Sequence, residues 1–373
     1  MPATNQCKQA AVETVDLLDY RFAFDGHLGE VMRSFAQADA ANWKLSPKFR
    51  CYYRLRPWIP LLLRQILQKS RNRNLPVGDD WYCHQGFLAQ FKAALTLDRS
   101  EVCSQIVHPW PDGFQHAILL THDIESAAGL TRIDALARLE EQYGFRSAWY
   151  FVPKKYKIDP GLLADLRSRG HEVGVHGFNH DGRLFCSRRN FLRRAQHINA
   201  VAGQWQASGF RAPMMHRQLV WMQALQFDYD ASCFDIDPFQ AMPGGVGSVW
   251  PFLAGRLVEL PCTLPQDHTL FVTLQQQSID IWKRKYGLLQ RLRGMAVCLV
   301  HPDYVDSPQR QDLYKELLEE FAAAADAWAC LPREAAQWWR LRNASRIEDD
   351  AIVGPAHDRG RTVSLQSVFA ELR

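Results

Sequence analysis

Short apolar runs alternate with amphipathic segments between residues 113 and 303 of this chain. The runs HAILLTHD, SAWYFVP, HEVGVHG and MAVCLVHP are typical of buried strands, and the segments TRIDALARLEEQYG and RRNFLRRAQHINAVAGQ have the apolar spacing of helices. Strands that alternate with helices in this way indicate a parallel sheet covered by helices. We therefore predict an α/β fold, either a parallel barrel or a wound sheet.

Polar side chains that could take part in catalysis or bind a metal stand where these apolar runs end. In a barrel of parallel strands such ends meet at one face, and active sites are usually built there. A mixed set of histidines and carboxylates also suits a divalent metal and hydrolytic chemistry. The set comprises Asp123, Glu125, His176, His180, Arg211, Asp235, Asp237 and His301.

Two histidines stand four residues apart in HGFNH, and two acids stand two residues apart in THDIES. A helical turn after the strand would put His176 and His180 on one face, where they could hold one metal ion. In extended backbone Asp123 and Glu125 point to the same side, so that one could bind the metal and the other accept a proton. The alternatives are a structural or exposed histidine pair, and a strand end followed by a helix cap at Ser126.

Three further positions carry hypotheses about chemistry. Arg211 could orient a carboxylate through two parallel hydrogen bonds, or it is a surface arginine before a turn. His301 could act as a general acid if Asp235 or Asp237 raises its pKa. In the segment LPCTLPQDHTLF, Asp267 and His268 follow a strand end and either line a substrate groove or form a polar turn.

Taken in order, these segments resemble the five motifs of the polysaccharide deacetylase family (carbohydrate esterase family 4) over about residues 113–303. The resemblance implies a distorted (β/α) barrel and metal-dependent removal of an acetyl group from an N-acetylated sugar. It implies that Asp123 is the general base held by Arg211, and that His301 protonates the leaving amine. The metal would be zinc, with cobalt or nickel as alternatives, held by a second acid of the first motif and by His176 and His180.

The chain departs from the family pattern at two positions. Ile124 follows Asp123 where the family has a second aspartate, so we expect Glu125 to be the metal ligand; otherwise Asp123 binds the metal and the base lies elsewhere. Met214 replaces a tyrosine of the third motif, which leaves only its backbone N–H to help an oxyanion and predicts a different substrate groove. Two other functions stay open, namely an amidase for a small non-sugar amide or imide and a non-catalytic glycan-binding protein on the same fold.

Composition narrows the class of protein. A net charge of +4 is too small to indicate a nucleic-acid partner. The nine cysteines include no CxxC pair, which favours a reducing compartment over a disulfide framework. The N-terminus has acids and no long apolar core, unlike a secretory signal, and no run approaches ~18 apolar residues. We therefore expect a cytoplasmic protein without a membrane span.

A basic segment lies near the N-terminus, where residues 40–78 contain nine Lys or Arg and no Asp or Glu. One interpretation is an interfacial helix that rests on anionic lipid with Trp58 at the boundary. It would give peripheral contact with an inner membrane through residues 48–73 and would suit a lipid-linked N-acetyl sugar, an intermediate of cell-surface polysaccharide biosynthesis. The other interpretation is a helix packed on the catalytic domain with solvated arginines.

These patterns divide the chain into three segments. We expect a mostly helical N-terminal extension over residues 1–100, a catalytic domain over residues 101–305, and C-terminal helices with a tail over residues 306–373.

Overall fold

The computed structural model describes residues 18–55, 58–60, 63, 66, 67, 70, 81–100, 105–237 and 245–372. The first 17 residues of the predicted N-terminal extension lie outside this part of the chain. So do five of the nine basic residues of the predicted basic segment, namely Arg56, Arg64, Lys69, Arg71 and Arg73.

The strands, in chain order, are β1 Tyr20–Arg21, β2 Gln105–Val107, β3 His116–Ile124, β4 Ser147–Phe151, β5 Glu172–His176, β6 Gly209–Arg211, β7 Tyr229–Asp230, β8 Phe252–Ala254, β9 Leu257–Glu259, β10 Met295–Val300, β11 Ala327–Ala329, β12 Arg346–Glu348, β13 Ala351–Val353 and β14 Thr362–Ser364.

One large sheet organises the molecule, and in the described part of the chain it has ten strands. Nine of them run in the order β1-β8-β9-β7-β6-β5-β4-β3-β10, and the tenth, β11, pairs with β3 as well. The strands from β9 through β7, β6, β5, β4 and β3 to β10 pair in parallel, whereas β8 is antiparallel to both β9 and β1. The sheet curls into a half-barrel, which confirms the predicted distorted (β/α) barrel.

The helices are α1 Gly26–Ala41, α2 Pro47–Leu55, α3 Gln85–Ser100, α4 Ala127–Leu130, α5 Ile133–Gln142, α6 Pro160–Ser168, α7 Arg188–Trp205, α8 Leu219–Met222, α9 Asp280–Arg291, α10 Pro308–Ala322, α11 Pro332–Asn343 and α12 Leu365–Val368.

The central strands β3 and β10 are buried along their whole length, as is usual for covered parallel sheets. All nine residues of β3 and all six of β10 are buried. Several helices begin at a side-chain cap that accepts a backbone N–H, as Ser126, Ser187 and Ser307 do for α4, α7 and α10. Local sequence therefore fixes where each helix begins after its strand, and hence where the strand-end side chains stand.

Both ends of the chain contribute to the same sheet. β1 pairs with β8, and β11 pairs with the first residues of β3, beside the part that pairs with β4. The predicted C-terminal tail contains the hairpin β12-β13 and the strand β14, which pairs with β2. The division at residues 100 and 305 stays a prediction. Among the described residues, no helix is both long and apolar enough to cross a bilayer.

Candidate active site

The chemically active side chains meet at the carboxyl edge of the parallel strands. Asp123 is near the end of β3 and Glu125 follows it, His176 and Arg211 end β5 and β6, and His301 follows β10. Because these strands are neighbours in the sheet, side chains distant in sequence come within ion-pair distance of one another.

Glu125, His176 and His180 form a cluster whose possible ligand atoms all lie within 4.8 Å of one another. Oε1 of Glu125 is 2.8 Å from Nε2 of His180 and 3.8 Å from Nε2 of His176. The chain between the two histidines is not the helical turn that we expected. It is an irregular bend in which Gly177 has φ +61°, and a Cβ on this glycine would meet Pro213 at 2.3 Å.

The donor set fits a divalent metal. Nδ1 of His176 donates to the carbonyl of Arg211 at 3.1 Å, which fixes the tautomer and leaves Nε2 for a ligand. That Nε2 is buried and has no hydrogen-bond partner in the described part of the chain. Two imidazole nitrogens and one carboxylate oxygen, with room for bonds of about 2.0–2.2 Å, are a set typical of catalytic zinc.

Asp123 lies beside this cluster and is held by Arg211, whose side chain is fully buried. Nη1 of Arg211 donates to Oδ1 of Asp123 at 3.1 Å and to Thr121 Oγ1, and its Nε donates to the carbonyl of Ala231. The arginine is thus no surface residue, and it makes one hydrogen bond to the carboxylate instead of the two parallel bonds that we predicted.

Asp123 is ionised in these surroundings. Burial raises the pKa of its carboxyl, but the charges of His176 and Arg211 outweigh burial and hold the pKa below its usual range. Oδ2 of Asp123 is 3.7 Å from Nε2 of His176 and 4.0 Å from Nε2 of His301. This oxygen therefore faces the space between the histidines.

His301 pairs with Asp267. Nδ1 of His301 donates to Oδ1 of Asp267 at 2.7 Å, and the backbone N–H of His301 donates to Oδ2 at 2.6 Å. Burial alone lowers the pKa of His301, but the charge and hydrogen bond of Asp267 raise it to about 10. Nε2 of His301 remains directed at the site, 3.8 Å from Oε1 of Glu125.

This pairing corrects two predictions. The expected partners of His301 were Asp235 and Asp237, but Asp235 makes a fully buried ion pair with Lys285 at 2.7 Å, and the backbone N–H of Asp237 donates to Asp235. Asp267 was expected to line a substrate groove or to form a polar turn, but it is fully buried, and its two oxygens accept from the ring and the backbone N–H of His301.

Residues 113–228 match the sequence model of the polysaccharide deacetylase family. This segment belongs to that family. The match includes Asp123, Glu125, His176, His180 and Arg211. The matched segment is a polysaccharide deacetylase domain, which supports a hydrolase that acts on carbon–nitrogen bonds. His301 and Asp267 lie beyond the matched segment.

Solved structures with the same fold are distant in sequence. The chain is similar to a putative polysaccharide deacetylase from Mycobacterium smegmatis (17% identity, TM-score 0.48, covering 63% of this chain and 93% of the other). It is also similar to an allantoinase (15% identity, TM-score 0.50, 62% and 93%) and to a probable polysaccharide deacetylase from Pseudomonas aeruginosa PAO1 (14%, 0.48, 62% and 94%). A search of curated protein sequences found no match.

The two departures from the family pattern, at positions 124 and 214, lie close to the site. Ile124 is fully buried, whereas Glu125 is within reach of both histidines. Met214 has φ +55° and ψ +18°, in the left-handed region, directly after Pro213. That conformation is costly for a residue with a Cβ, and it sets the course of the backbone after β6.

Of two nearby features, sequence analysis missed Lys285, whereas it had named His268 as a candidate for the substrate groove or a polar turn. Lys285 of α9 is fully buried, and its Nζ also donates to the carbonyl of Tyr82 at 2.8 Å. Its position among the apolar residues of that helix was a detectable signal. His268 stands at the site edge, with its ring 5.1 Å from that of Tyr304, which is itself 5.2 Å from His301.

Proposed function

We propose that this chain is a metal-dependent deacetylase that hydrolyses the N-acetyl group of an amino sugar in a glycan or glycan precursor. One observation carries the proposal. A three-ligand cluster lies between an ionised, arginine-held Asp123 and a His301 that is paired with Asp267. Amide hydrolysis needs a polarised carbonyl, a base for water and an acid for the leaving nitrogen, and this arrangement offers a group for each.

Glu125, His176 and His180 would hold the metal. A divalent ion bound there supplies Lewis acidity, which polarises a carbonyl oxygen and lowers the pKa of water from about 15.7 to about 7. We infer zinc, with cobalt or nickel as alternatives, because imidazole and carboxylate donors suit all three ions.

Asp123 is the proposed general base. Its Oδ1 accepts from Arg211, so its Oδ2 is the oxygen available to take the proton of the attacking water. The positive charge of Arg211 keeps the carboxyl ionised before the reaction, and the contacts of the guanidinium to Thr121 and Ala231 fix its position.

His301 is the proposed general acid. Asp267 holds Nδ1, which leaves Nε2 to deliver a proton to the departing amine. The charge of Asp267 favours the imidazolium form that such an acid requires. We assign Asp267 as a positioning residue, and we withdraw Asp235 and Asp237 from that role.

A non-catalytic glycan-binding protein is a weaker proposal than an enzyme. Both pairs that would serve proton transfer, Asp123 with Arg211 and His301 with Asp267, are intact and buried. No observation on this chain favours a non-sugar amide over an acetylated sugar.

We place the reaction on a precursor in the cytoplasm, for cell-surface polysaccharide biosynthesis. The seven cysteines in the described part of the chain are unpaired, in keeping with a reducing compartment.

The test combines metal content with acetate release. Protein purified without chelators should contain about one zinc, cobalt or nickel ion per chain by elemental analysis, and should release acetate from N-acetylated amino-sugar oligomers. The double variant His176→Ala/His180→Ala should lose both properties, whereas His357→Ala, which changes an exposed histidine, should keep both. Acetate release by the double variant at the wild-type rate, or its retention of the metal, would exclude the scheme.

A further inference from the structure

An unusual concentration of exposed apolar side chains lies between residues 55 and 67. In the described part of the chain, eight large apolar side chains are exposed, and five of them fall within these thirteen positions. They are Leu55, Trp58, Leu63, Ile66 and Leu67, with exposed fractions from 47% to 85%. An apolar patch of this kind on a soluble surface marks an interaction site.

The helix that leads into this patch is basic. Lys48, Arg50 and Arg54 of α2 are exposed, as is Lys44 just before it, and α2 buries none of its nine residues. The sequence has no acidic residue from position 40 to position 78. We call Lys44, Lys48, Arg50, Arg54 and the five apolar residues the basic-apolar surface.

The basic-apolar surface adjoins the site. Leu45 packs against Met215, Phe234, Cys262 and Leu299, which lie close to the carboxyl ends of β6, β7, β9 and β10. The ring of Tyr53 lies so close to Gly182 that a Cβ there would approach it to 2.4 Å, and it is 5.2 Å from the ring of His216. Gly182 follows His180 by two residues. Residues 45–53 therefore anchor the basic-apolar surface at the catalytic edge of the sheet.

We propose that the basic-apolar surface docks on an anionic lipid bilayer and holds the active site at the membrane. Positive charge without acids complements anionic headgroups, and Trp58 with the aliphatic residues can enter the interfacial layer. A packed helix with solvated arginines would fully bury an apolar face, whereas no residue of α2 is fully buried and Phe49, Tyr52 and Tyr53 are only half-buried. The contact face of a stable protein complex is depleted of charge at its centre, whereas here basic and apolar residues follow one another along the chain.

A consequence for the substrate rests on the proposed function. An enzyme held in this way would act on an N-acetylated sugar whose lipid anchor stays in the same bilayer. Only the amino sugar would then have to leave the headgroup layer to reach Asp123 and His301.

Vesicle sedimentation tests the docking itself. The full-length protein should bind vesicles with one third phosphatidylglycerol in phosphatidylcholine, weakly bind phosphatidylcholine alone, and dissociate as salt is raised, because salt screens exposed charge. Each basic residue near such a surface contributes roughly fivefold in binding, so Lys48→Ala/Arg50→Ala/Arg54→Ala should weaken it about a hundredfold. Trp58→Ala should weaken it at any salt concentration.

The matched control is Lys92→Ala/Arg188→Ala/Arg189→Ala, which removes three exposed positive charges from α3 and α7 and should bind like the wild type. Equal loss in the control, or no binding by the wild-type protein, would overturn the proposal. So would self-association that the Trp58→Ala variant abolishes, since the surface would then face a second copy.

Failure of docking and failure of the enzyme are distinguishable. The variant His176→Ala/His180→Ala should sediment with anionic vesicles as the wild type does, although it releases no acetate. The α2 triple variant should keep its rate on a soluble acetylated oligomer and lose rate on a vesicle-embedded one. Equal loss on both substrates would refute the link between the surface and the substrate.

Discussion

At the scale of single residues, the site is built from pairs in which one side chain fixes another. Arg211 fixes Asp123, the carbonyl of Arg211 fixes His176, and Asp267 fixes His301. In each pair, the residue nearer the site keeps one atom that its partner does not bind. These atoms are Oδ2 of Asp123 and Nε2 of His176 and His301, and they face one another across the site. We therefore expect activity to depend also on the residues that hold these groups in place.

Replacing Asp267 by Asn tests this arrangement. Asn keeps the shape but removes the charge and allows the wrong His301 tautomer, so kcat should fall on the order of a hundredfold, the lower end of what a general acid contributes. KM and metal content should hardly change, because Asp267 is fully buried behind His301 and makes no hydrogen bond to Glu125, His176 or His180. Steady-state kinetics with elemental analysis would show this split. Asp312→Asn, an exposed change on α10, is the control, and a change in KM alone would contradict the assignment.

The sequence predicted which residue types would meet, but only part of how they pair. Asp123, Glu125 and the two histidines follow successive strands, and parallel pairing alone brings such positions together. Asp267 pairs with His301 only because the loop after β9 returns beside β10, and no local pattern encodes that return. The assigned roles themselves stay predictions.

At the scale of elements, a buried ion pair joins α9 to the loop after β7. Lys285 bonds Asp235 and the carbonyl of Tyr82, and all of these groups are removed from water. Burial raises the pKa of Asp235 to about 6 although Lys285 opposes the rise. Such a pair holds elements in place, but it becomes costly when either partner is lost.

Two lysines on the same helix allow a direct comparison. Lys285→Met leaves the carboxylate of Asp235 buried without its charged partner and should lower the free energy of unfolding by about 3–5 kcal/mol. Lys283→Met breaks an exposed contact of 2.9 Å to Glu316 and should cost under about 1 kcal/mol. Urea denaturation measures both. Adding Asp235→Asn to Lys285→Met should recover part of the loss, and similar losses for the two single variants would contradict the difference in burial.

The shortest elements escaped sequence analysis for a physical reason. β1 has two residues and β11 has three, too few for any alternation of polar and apolar residues to be read. Their pairing is decided by contacts with β8 and β3, which are far away in the chain. Long buried strands such as β3 and β10 were predictable because their apolar runs have the length of a strand.

At the scale of the whole molecule, a buried carboxyl couples stability to pH. Glu172 of β5 accepts from Tyr229 at 2.5 Å and from the backbone N–H of Arg333 at 3.1 Å. Burial is the main reason that its pKa rises to about 7, against 4.5 for an ordinary glutamate. The folded protein thus holds this proton more tightly than the unfolded chain does.

The sign of the effect follows from linkage. The contribution of Glu172 to the free energy of unfolding is fully present below pH ~4.5 and is lost as the pH rises through ~7. The total loss is about 3 kcal/mol. Glu172→Gln has no proton to lose, so its free energy of unfolding relative to the wild type should increase by most of that amount, about 2.5 kcal/mol, between pH 5 and 8. Denaturation at several pH values gives the difference. Glu30→Gln, on the exposed side of α1, should give a flat difference, and a flat curve for Glu172→Gln would disprove the coupling.

The pairing of β11 with the first residues of β3 has a consequence for synthesis on the ribosome. Those residues of β3 emerge about two hundred positions before Ala327–Ala329, their partner. β10, on the other side of β3, also follows late. The pairing of β3 cannot be completed until most of the chain has been made. Until then, part of β3 has unpaired backbone groups. Such an edge can recruit other chains. The nascent protein needs shielding at β3 for most of its translation.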